Sequence, residues 1–330
     1  MDPTESVEIG TTGIRVTQLG MGGAPFGGNV SEVTESVAAE AVQTALRLGI
    51  RYFDTAPLYG RGKSEGFFGR VLADAPRDGF VLSTKVGRVL NPLSAPPEDD
   101  QWANPLPYEV VFDFSRDGVM RSLEESLKRL NLDRIDILLI HDPDDHHEQA
   151  ITEAFPALAE LRSQGVIRAI GAGMNDWQPL ARFAREGDFD CFLLAGRYTL
   201  LDQSGLEELL PLCQEKSISI ILGGPYNSGI LASDLSSDTT YFYQRATPEI
   251  LDRARKIKAA CDRHTVPLKA AALQFGLAHP AVSATIPGAQ SAAEVEENFS
   301  MAGHPIPLDL WGDLRDEGLI PEEAPTPSSV

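Results

Sequence analysis

The chain has 330 residues, and its 28 basic and 48 acidic side chains give it a formal net charge of −20. Long-range repulsion therefore disfavours binding to nucleic acid or to an anionic membrane surface. A single α/β barrel can occupy this length, and an enzyme for small molecules fits the composition better.

Two further features bear on location and redox state. The chain shows neither an early apolar run of signal-peptide length nor a membrane-spanning run of about 18 apolar residues, so we expect a cytoplasmic protein. Cys191, Cys213 and Cys261 are widely spaced and odd in number, which indicates reduced core thiols rather than disulfides or a zinc site. The sequence leaves the oligomeric state open.

Short runs rich in Val, Ile and Leu alternate with amphipathic stretches, a pattern typical of βαβ units around a parallel sheet. The runs predicted to be strands are 16–22, 52–56, 80–86, 135–142, 167–173, 191–196, 219–224 and 282–288. Helices are predicted, for example, at 34–49, 118–131, 150–165, 205–217 and 291–300. Eight such repeats predict an α/β fold, a (β/α)8 TIM barrel whose functional groups gather where strands end.

Additions to the barrel are predicted at both ends of the chain. An N-terminal hairpin, "VEIG" followed by "IRVTQLG", is expected to cross the barrel bottom, and an extra helix is expected near 308–317. A long Pro-rich loop runs from Asn91 to Pro107. We expect residues 1–320 to form one domain and the polar residues 321–330 to be a disordered tail.

Two nucleotide-binding motifs fail at a proline. A triphosphate loop needs a glycine five positions before "GKS" at residues 62–64, where Pro57 stands. A doubly wound dinucleotide fold needs G-x-G-x-x-G, and "GMGGAPFGG" has Pro25 in place of the third glycine. Proline lacks the N–H and the backbone freedom that wrapping an anion requires, so both motifs are disfavoured.

Four polar residues lie at or just after predicted strand ends, namely Asp54, Tyr59, Lys85 and His141. Each alone has an ordinary structural explanation, since ionisable groups at strand ends are common. Together they form a proton relay, because a lysine ammonium favours the phenolate of Tyr59 and a carboxylate can hold that ammonium in place. The intact set also disfavours a barrel that has lost catalysis and serves only in binding or regulation.

A non-redox alternative is a divalent metal site in "HDPDDHH", residues 141–147, serving a metal-dependent hydrolase. The segment shows none of the i, i+4 histidine spacing of a helical metal site. A solvated acidic loop is therefore favoured, and no metal is expected.

In chain order, the segments "FDTAPLYGRGKSEGFFG", "STKVG", "IDILLIHD", "GVIRAIGAG" and "IPGAQSAAEVEEN" resemble signatures of the aldo-keto reductase superfamily across residues 8–300. This resemblance implies a (β/α)8 barrel that binds a nicotinamide dinucleotide without a Rossmann domain. It also implies that Asp54, Tyr59, Lys85 and His141 are the catalytic tetrad, with Tyr59 as general acid or base.

The resemblance carries over to the nicotinamide end of the cofactor unevenly. Asn175 in "GAGMNDW" resembles the carboxamide-binding residue after the fifth strand. The glutamine usual on the sixth strand corresponds to Ala195, so its replacement is left open. The aromatic residue that stacks on nicotinamide corresponds to Gly223 by spacing or to Tyr226 by chemistry.

At the adenosine end, the resemblance predicts NAD rather than NADP. Gly288 and Glu294 stand where NADP-using members have a lysine and an arginine for the ribose 2′-phosphate. Each lost charged hydrogen bond is worth about 1.5 to 3 kcal/mol, and Glu294 adds repulsion. Glu297 and Asn298 match the adenine-contacting pair, or are simply a polar helix face.

The segments "PLPYEVVFDFSRDGVMRSLEESLKRL", "AGRYTLLDQ" and "GGPYNSGIL" resemble the group that holds D-threo-aldose 1-dehydrogenase, L-fucose dehydrogenase and pyridoxal 4-dehydrogenase. This implies oxidation of a cyclic hemiacetal to a lactone with Tyr59 as general base. The expected substrate is an aldose such as L-fucose or D-arabinose. Pyridoxal, giving 4-pyridoxolactone, and more general carbonyl reduction are the alternatives. Loop aromatics such as Trp102 could stack on either type of ring, or simply pack.

Overall fold

The predicted strands form one parallel sheet that closes on itself. A computed structural model describes residues 2–98, 100–236, 238–242 and 244–327. Its strands are β1 Ser6–Glu8, β2 Arg15–Thr17, β3 Met21–Gly22, β4 Tyr52–Asp54, β5 Val81–Val86, β6 Arg88–Pro92, β7 Tyr108–Phe112, β8 Ile137–His141, β9 Ala169–Met174, β10 Cys191–Ala195, β11 Ser219–Gly223, β12 Thr240–Tyr241, β13 Gln244–Arg245 and β14 Val282–Ile286. The order β3-β4-β5-β8-β9-β10-β11-β14 confirms the (β/α)8 barrel.

Backbone hydrogen bonds close the barrel between its first and last strands. Parallel bridges join Leu19 to Thr285 and Gly22 to Gly288. The N–H of Gly20 donates to the carbonyl of Thr285 over 2.9 Å. With no free edge, the carboxyl ends of all eight strands meet in one ring at the top of the barrel.

The first predicted strand, 16–22, is wrong at its beginning. Val16 and Thr17 belong to β2, which pairs with β1 in an antiparallel hairpin. Ile9, Ile14 and Val16 of this hairpin segment share one apolar cluster with inward-facing barrel residues such as Leu139 and Ile221. The hairpin therefore plugs the barrel bottom, as predicted.

Helices cover the outside of the barrel. They are α1 Glu35–Arg47, α2 Lys63–Leu72, α3 Arg116–Leu130, α4 His147–Gln149, α5 Phe155–Ser163, α6 Trp177–Glu186, α7 Leu209–Lys216, α8 Pro248–Arg263, α9 Leu268–Leu277, α10 Ala292–Ala302 and α11 Leu308–Asp316. Side chains of Thr34 and Ser115 cap the first turns of α1 and α3 by accepting backbone N–H bonds. The helices turn apolar faces to the strands, which explains why every residue of β5, β8 and β9 is buried.

Two segments at the margins of the barrel are described in more detail by the structure. The predicted loop 91–107 is largely the connection of a hairpin, because β6 and β7 pair antiparallel on either side of it. In the predicted tail, Ala324 is 1% exposed, and its carbonyl accepts a 3.0 Å hydrogen bond from Arg315 of α11. Ala324 thus packs against α11, whereas Glu322 and Glu323 are exposed, and residues 328–330 lie outside the described residues. The predicted extra helix is α11.

None of the helices in the described ranges is long and apolar enough to cross a membrane.

Candidate active site

The barrel brings the four strand-end residues into contact at its upper end. Asp54 ends β4, Lys85 lies in β5 and His141 ends β8, while Tyr59 begins a short 3-10 helix, Tyr59–Gly62. Because β4, β5 and β8 are neighbours paired in parallel, the side chains of Asp54, Lys85 and His141 lie at the same end of the barrel. The structure thus joins all four residues singled out from the sequence.

The ammonium of Lys85 is the centre of this group. It donates to Asp54 Oδ1 over 2.7 Å, to the Thr55 carbonyl over 2.9 Å and to Tyr59 Oη over 3.1 Å. The second oxygen of Asp54 accepts from Ser83 Oγ over 2.6 Å. All three ammonium protons are therefore engaged in a site where Lys85 is 1% exposed.

Opposite charge keeps this buried lysine protonated. Burial lowers the pKa of Lys85. The Asp54 carboxylate and the hydrogen bonds to Asp54 and Tyr59 raise it by more, so the net pKa lies above the ordinary value. An ammonium that stays charged can stabilise a neighbouring phenolate at neutral pH. Lys85 is thus fitted to support Tyr59.

The phenol of Tyr59 has a net pKa shift opposite to the one expected from the sequence. Burial raises the pKa of Tyr59 to about 12, while Lys85 acts in the expected, lowering direction. Desolvation of the phenolate therefore outweighs the ammonium, a balance that burial decides and that residue spacing does not reveal.

His141 lies edge-on to the ring of Tyr59, with ring centroids 6.0 Å apart at 90°. Burial, followed by the charges of Lys85 and Arg88, lowers the pKa of His141 well below its usual value. The imidazole is therefore neutral at pH 7 and has a single N–H to donate. Among the described residues its Nδ1 has no hydrogen-bond partner.

A tryptophan forms a wall of the site. The ring of Trp102 lies 5.8 Å from that of Tyr59 and is 7% exposed. Gly27 permits this approach, because a Cβ there would come within 2.6 Å of the Trp102 ring. Trp102 on the Pro-rich connection is therefore brought beside the phenol of Tyr59.

The polar side chains of the "GKS" segment bind backbone carbonyls of the protein itself. The ammonium of Lys63 donates to the carbonyls of Ala103 over 2.6 Å and Asn104 over 3.0 Å. Ser64 Oγ donates to the Gly23 carbonyl over 2.8 Å. Lys63 therefore fastens the connection that carries Trp102, while Ser64 ties the start of α2 to the residue after β3.

An ion pair beside His141 was missed by sequence reasoning. Asp142 Oδ2 accepts a 2.6 Å hydrogen bond from Nη2 of Arg88 and lies 3.5 Å from His141 Nε2. Arg88 begins β6 two residues after the end of β5, and Asp142 directly follows β8. Both therefore lie near barrel-strand ends and could have been found by the same rule that found the tetrad.

The predicted cofactor residues near the nicotinamide end separate into two groups. Asn175 is exposed immediately after β9, and no hydrogen-bond partner for its amide is found within the described ranges. Ala195 and Gly223 are paired neighbours at the ends of β10 and β11. Tyr226 instead lies against α10, since its hydroxyl donates to Asn298 Oδ1 over 2.7 Å. Tyr226 therefore contacts the predicted adenine pair.

An aromatic residue that the sequence did not indicate lies at the end of β10. A Cβ on Gly196 would meet the Phe242 ring at 3.0 Å, so Phe242 covers that strand end. The guanidinium of Arg197 lies 4.0 Å from the centroid of the same ring and pairs with Asp176 and Asp202. Phe242 lies between β12 and β13, far along the chain from β10, so the residues that follow β10 in the sequence do not predict it.

The predicted adenosine-end residues have protein partners. Glu294 Oε2 accepts from the N–H of Gln290 over 2.9 Å, while Ser291 caps α10 through the N–H of Glu294. Glu297 pairs with Lys269 over 2.6 Å. A Cβ on Gly288 would lie 2.6 Å from Pro25, so the close approach of that proline already requires glycine there.

The histidines of "HDPDDHH" have separate partners. His147 Nε2 lies 2.7 Å from Glu186 Oε2, and its ring stacks on Phe183 at 4.2 Å. His146 packs against Phe112 and Phe114 instead. Over the described parts of the chain, no group of three or more His, Cys, Asp or Glu side chains is arranged to hold a metal ion.

Comparison with known proteins agrees with this fold and shows the family. The model of the aldo/keto reductase family matches residues 18–316. The chain is 41% identical to pyridoxal 4-dehydrogenase of Microbacterium luteolum, over 96% of this chain and 98% of that protein. It is 40% identical to D-threo-aldose 1-dehydrogenase of a Pseudomonas species, over 94% of this chain and 96% of that protein.

Solved structures give the same fold. An aldo-keto reductase from Bacillus halodurans, in its holo form, superposes with a TM-score of 0.77 at 25% identity, covering 94% of this chain and 95% of that one. A glycerol dehydrogenase from Gluconobacter oxydans superposes with the same TM-score of 0.77 at 22% identity, covering 99% and 98%.

Proposed function

The chain belongs to the aldo/keto reductase family of oxidoreductases, which use a nicotinamide cofactor, and we propose that it oxidises a cyclic hemiacetal to a lactone with NAD. The substrate we propose is an aldose such as L-fucose or D-arabinose, oxidised at C1. The observation that carries this proposal is the 3.1 Å contact between Lys85 Nζ and Tyr59 Oη, completed by Asp54 and His141. D-threo-aldose 1-dehydrogenase, at 40% identity over nearly the whole chain, supports the substrate class.

The residues at the rim fit a nicotinamide dinucleotide. Asn175 offers an exposed amide next to the tetrad strands, and Phe242 places an aromatic ring at the end of β10. Tyr226 and Asn298 form a hydrogen-bonded pair beside α10, where the adenine end is proposed to lie. When bound, the nicotinamide supplies the two-electron acceptor for the hydrogen on the anomeric carbon.

The side chains of the tetrad would divide the remaining work. Tyr59, as phenolate, removes the proton of the anomeric hydroxyl while the C1–H bond breaks and C1 becomes the lactone carbonyl carbon. Lys85 stabilises that phenolate, and Asp54 holds Lys85 charged and in place. Neutral His141 donates a hydrogen bond to the reacting oxygen and fixes its direction.

Preference for NAD over NADP rests on the start of α10. Glu294 places a carboxylate in the first turn of that helix, and no basic residue lies in the same turn. Gly288 cannot be replaced by a lysine without displacing Pro25. Both features oppose a 2′-phosphate, while a free ribose hydroxyl could donate to Glu294. We propose a cytoplasmic enzyme acting in the oxidative direction.

Pyridoxal is a second candidate substrate, favoured by the 41% identity to pyridoxal 4-dehydrogenase and by the position of Trp102. An aromatic wall 5.8 Å from the Tyr59 ring could stack on a pyridine ring as well as on the apolar face of a sugar.

The testing experiment measures initial rates of reduced-cofactor formation with L-fucose, D-arabinose and pyridoxal, each with NAD and with NADP. Tyr59→Phe is the matched control, because it keeps the ring and removes only the hydroxyl. Oxidation of an aldose with NAD that is lost in Tyr59→Phe supports the proposal. Oxidation of pyridoxal but of neither aldose would show that pyridoxal is the substrate. Equal rates with NAD and NADP would overturn the proposed preference for NAD.

A further inference from the structure

A carboxylate is presented beside the position proposed for the reacting oxygen. Asp142 follows His141 at the end of β8, and its Oδ2 lies 3.5 Å from His141 Nε2. The Asp142 side chain is 24% exposed, whereas His141 is 6% exposed. A substrate oxygen held by the imidazole would therefore have this carboxylate as a close neighbour.

The backbone at Asp142 is in the left-handed region, with φ at 41°. Few residues with a Cβ adopt this conformation, and Asp is among those that tolerate it best. The N–H of Asp142 donates to the Gly173 carbonyl of the neighbouring strand over 3.0 Å, which holds the turn in place. Such conformations persist where the surrounding structure enforces them and are concentrated at functional sites.

Arg88 lies behind the carboxylate and keeps it oriented. Its Nη2 donates to Asp142 Oδ2 over 2.6 Å, and its guanidinium lies 4.7 Å from the centroid of the Phe112 ring. Burial raises the pKa of Asp142 above its ordinary value, and the Arg88 charge opposes that rise. The Arg88 charge is thus engaged by Asp142, and the pair presents the Asp142 carboxylate as an oriented hydrogen-bond acceptor.

We propose that Asp142, held by Arg88, is a specificity-determining residue that accepts a hydrogen bond from the substrate hydroxyl on the carbon next to the reacting carbon. This inference rests on the proposed hemiacetal oxidation. In a cyclic aldose, the hydroxyl on C2 is adjacent to the oxygen on C1, which matches the adjacency of Asp142 to His141. The carboxylate accepts from a neutral hydroxyl and repels an ionised one, so it selects aldoses over a hemiacetal that has no hydroxyl on that carbon and carries a phenolate one carbon further away.

The test compares kcat/KM for an aldose and for its 2-deoxy analogue, with NAD, in the unmodified enzyme and in two variants. Asp142→Asn keeps tolerance of the left-handed backbone and removes the charge, and Asp142→Gly removes the acceptor altogether. We expect the unmodified enzyme to prefer the parent aldose by roughly 10- to 150-fold, the range for one charged hydrogen bond.

In the variants this preference should collapse, because kcat/KM should fall more for the parent sugar than for the 2-deoxy analogue. Asp142→Gly should bring the ratio close to one, and Asp142→Asn should leave an intermediate ratio. Asp145→Asn, which removes an exposed carboxylate from the same turn, should leave the ratio unchanged. If Asp142→Gly does not fold, a fall of the ratio in Asp142→Asn decides the question.

Several results would overturn this inference. An unmodified enzyme that oxidises both sugars equally well, or variants that lose the same factor on both, would show that Asp142 has only a structural role. If the unmodified enzyme oxidises no aldose, the proposed function itself fails and takes this inference with it. The two failures are distinguishable, because only the second abolishes turnover of the parent sugar before any substitution is made.

Discussion

Lys85 and Asp54 form a fully buried ion pair, with Lys85 Nζ 2.7 Å from Asp54 Oδ1 and side-chain exposures of 1% and 2%. Two charges at this depth are tolerated because each satisfies the other and because Ser83, Thr55 and Tyr59 complete their hydrogen bonds. Removal of one partner should therefore affect both stability and catalysis.

Asp54→Asn should lower the free energy of unfolding by about 3 to 5 kcal/mol, because it leaves the Lys85 ammonium buried without its counter-charge. Denaturant unfolding of Asp54→Asn, of Lys85→Met and of the double variant measures this. The double variant should be less destabilised than the sum of the single changes. Strict additivity would show that the pair is not energetically coupled.

Oxidation should become faster as pH rises through the neutral and alkaline range. Tyr59 must be deprotonated to act as base, and burial raises its pKa to about 12, so the reactive fraction grows with pH up to that value. A pH profile of kcat/KM measures this. In Lys85→Met the profile should shift to higher pH, since Lys85 lowers the pKa of Tyr59. A profile independent of pH in both enzymes would contradict the role given to Tyr59.

Glu294→Arg should raise kcat/KM for NADP relative to NAD by roughly 10-fold or more, the worth of one charged hydrogen bond to phosphate. Glu294→Gln is the matched control, because its amide oxygen can still accept from the Gln290 N–H while the charge is lost. The Gln variant should move the preference less than the Arg variant. No change in either would remove Glu294 from cofactor discrimination.

Lys63→Met should loosen the connection that carries Trp102, because the carbonyls of Ala103 and Asn104 lose their shared donor. In the unmodified protein the Ala103 N–H donates to the Gly28 carbonyl over 3.0 Å, and in the variant this N–H should exchange faster with solvent. The KM of the substrate should rise more than kcat falls. Lys258→Met, which removes only an exposed pair with Asp262, should change neither quantity.

The strands and the four central residues could be predicted because their signal is local. An apolar run ending in Asp54 or His141 is visible in a few adjacent letters, and the barrel carries every such end to the same rim. One further local pattern, at the start of α10, predicts a helix cap. The Ser291-x-x-Glu294 spacing is that of a helix N-cap, and Glu294 does bind the Gln290 backbone, although the resemblance directed attention only to the cofactor.

By itself the sequence determined the parallel barrel, the hairpin at its bottom, and the four polar residues that meet at its top, because hydrophobic period and strand-end residues can be recognised from adjacent positions. Only the tertiary structure decided the net rise in the pKa of Tyr59, the wall formed by Trp102, and the pairing of Arg88 with Asp142. These depend on desolvation and on contacts between residues far apart in the chain. No local sequence pattern encodes desolvation or long-range contacts, because both arise only when the chain has folded into the barrel.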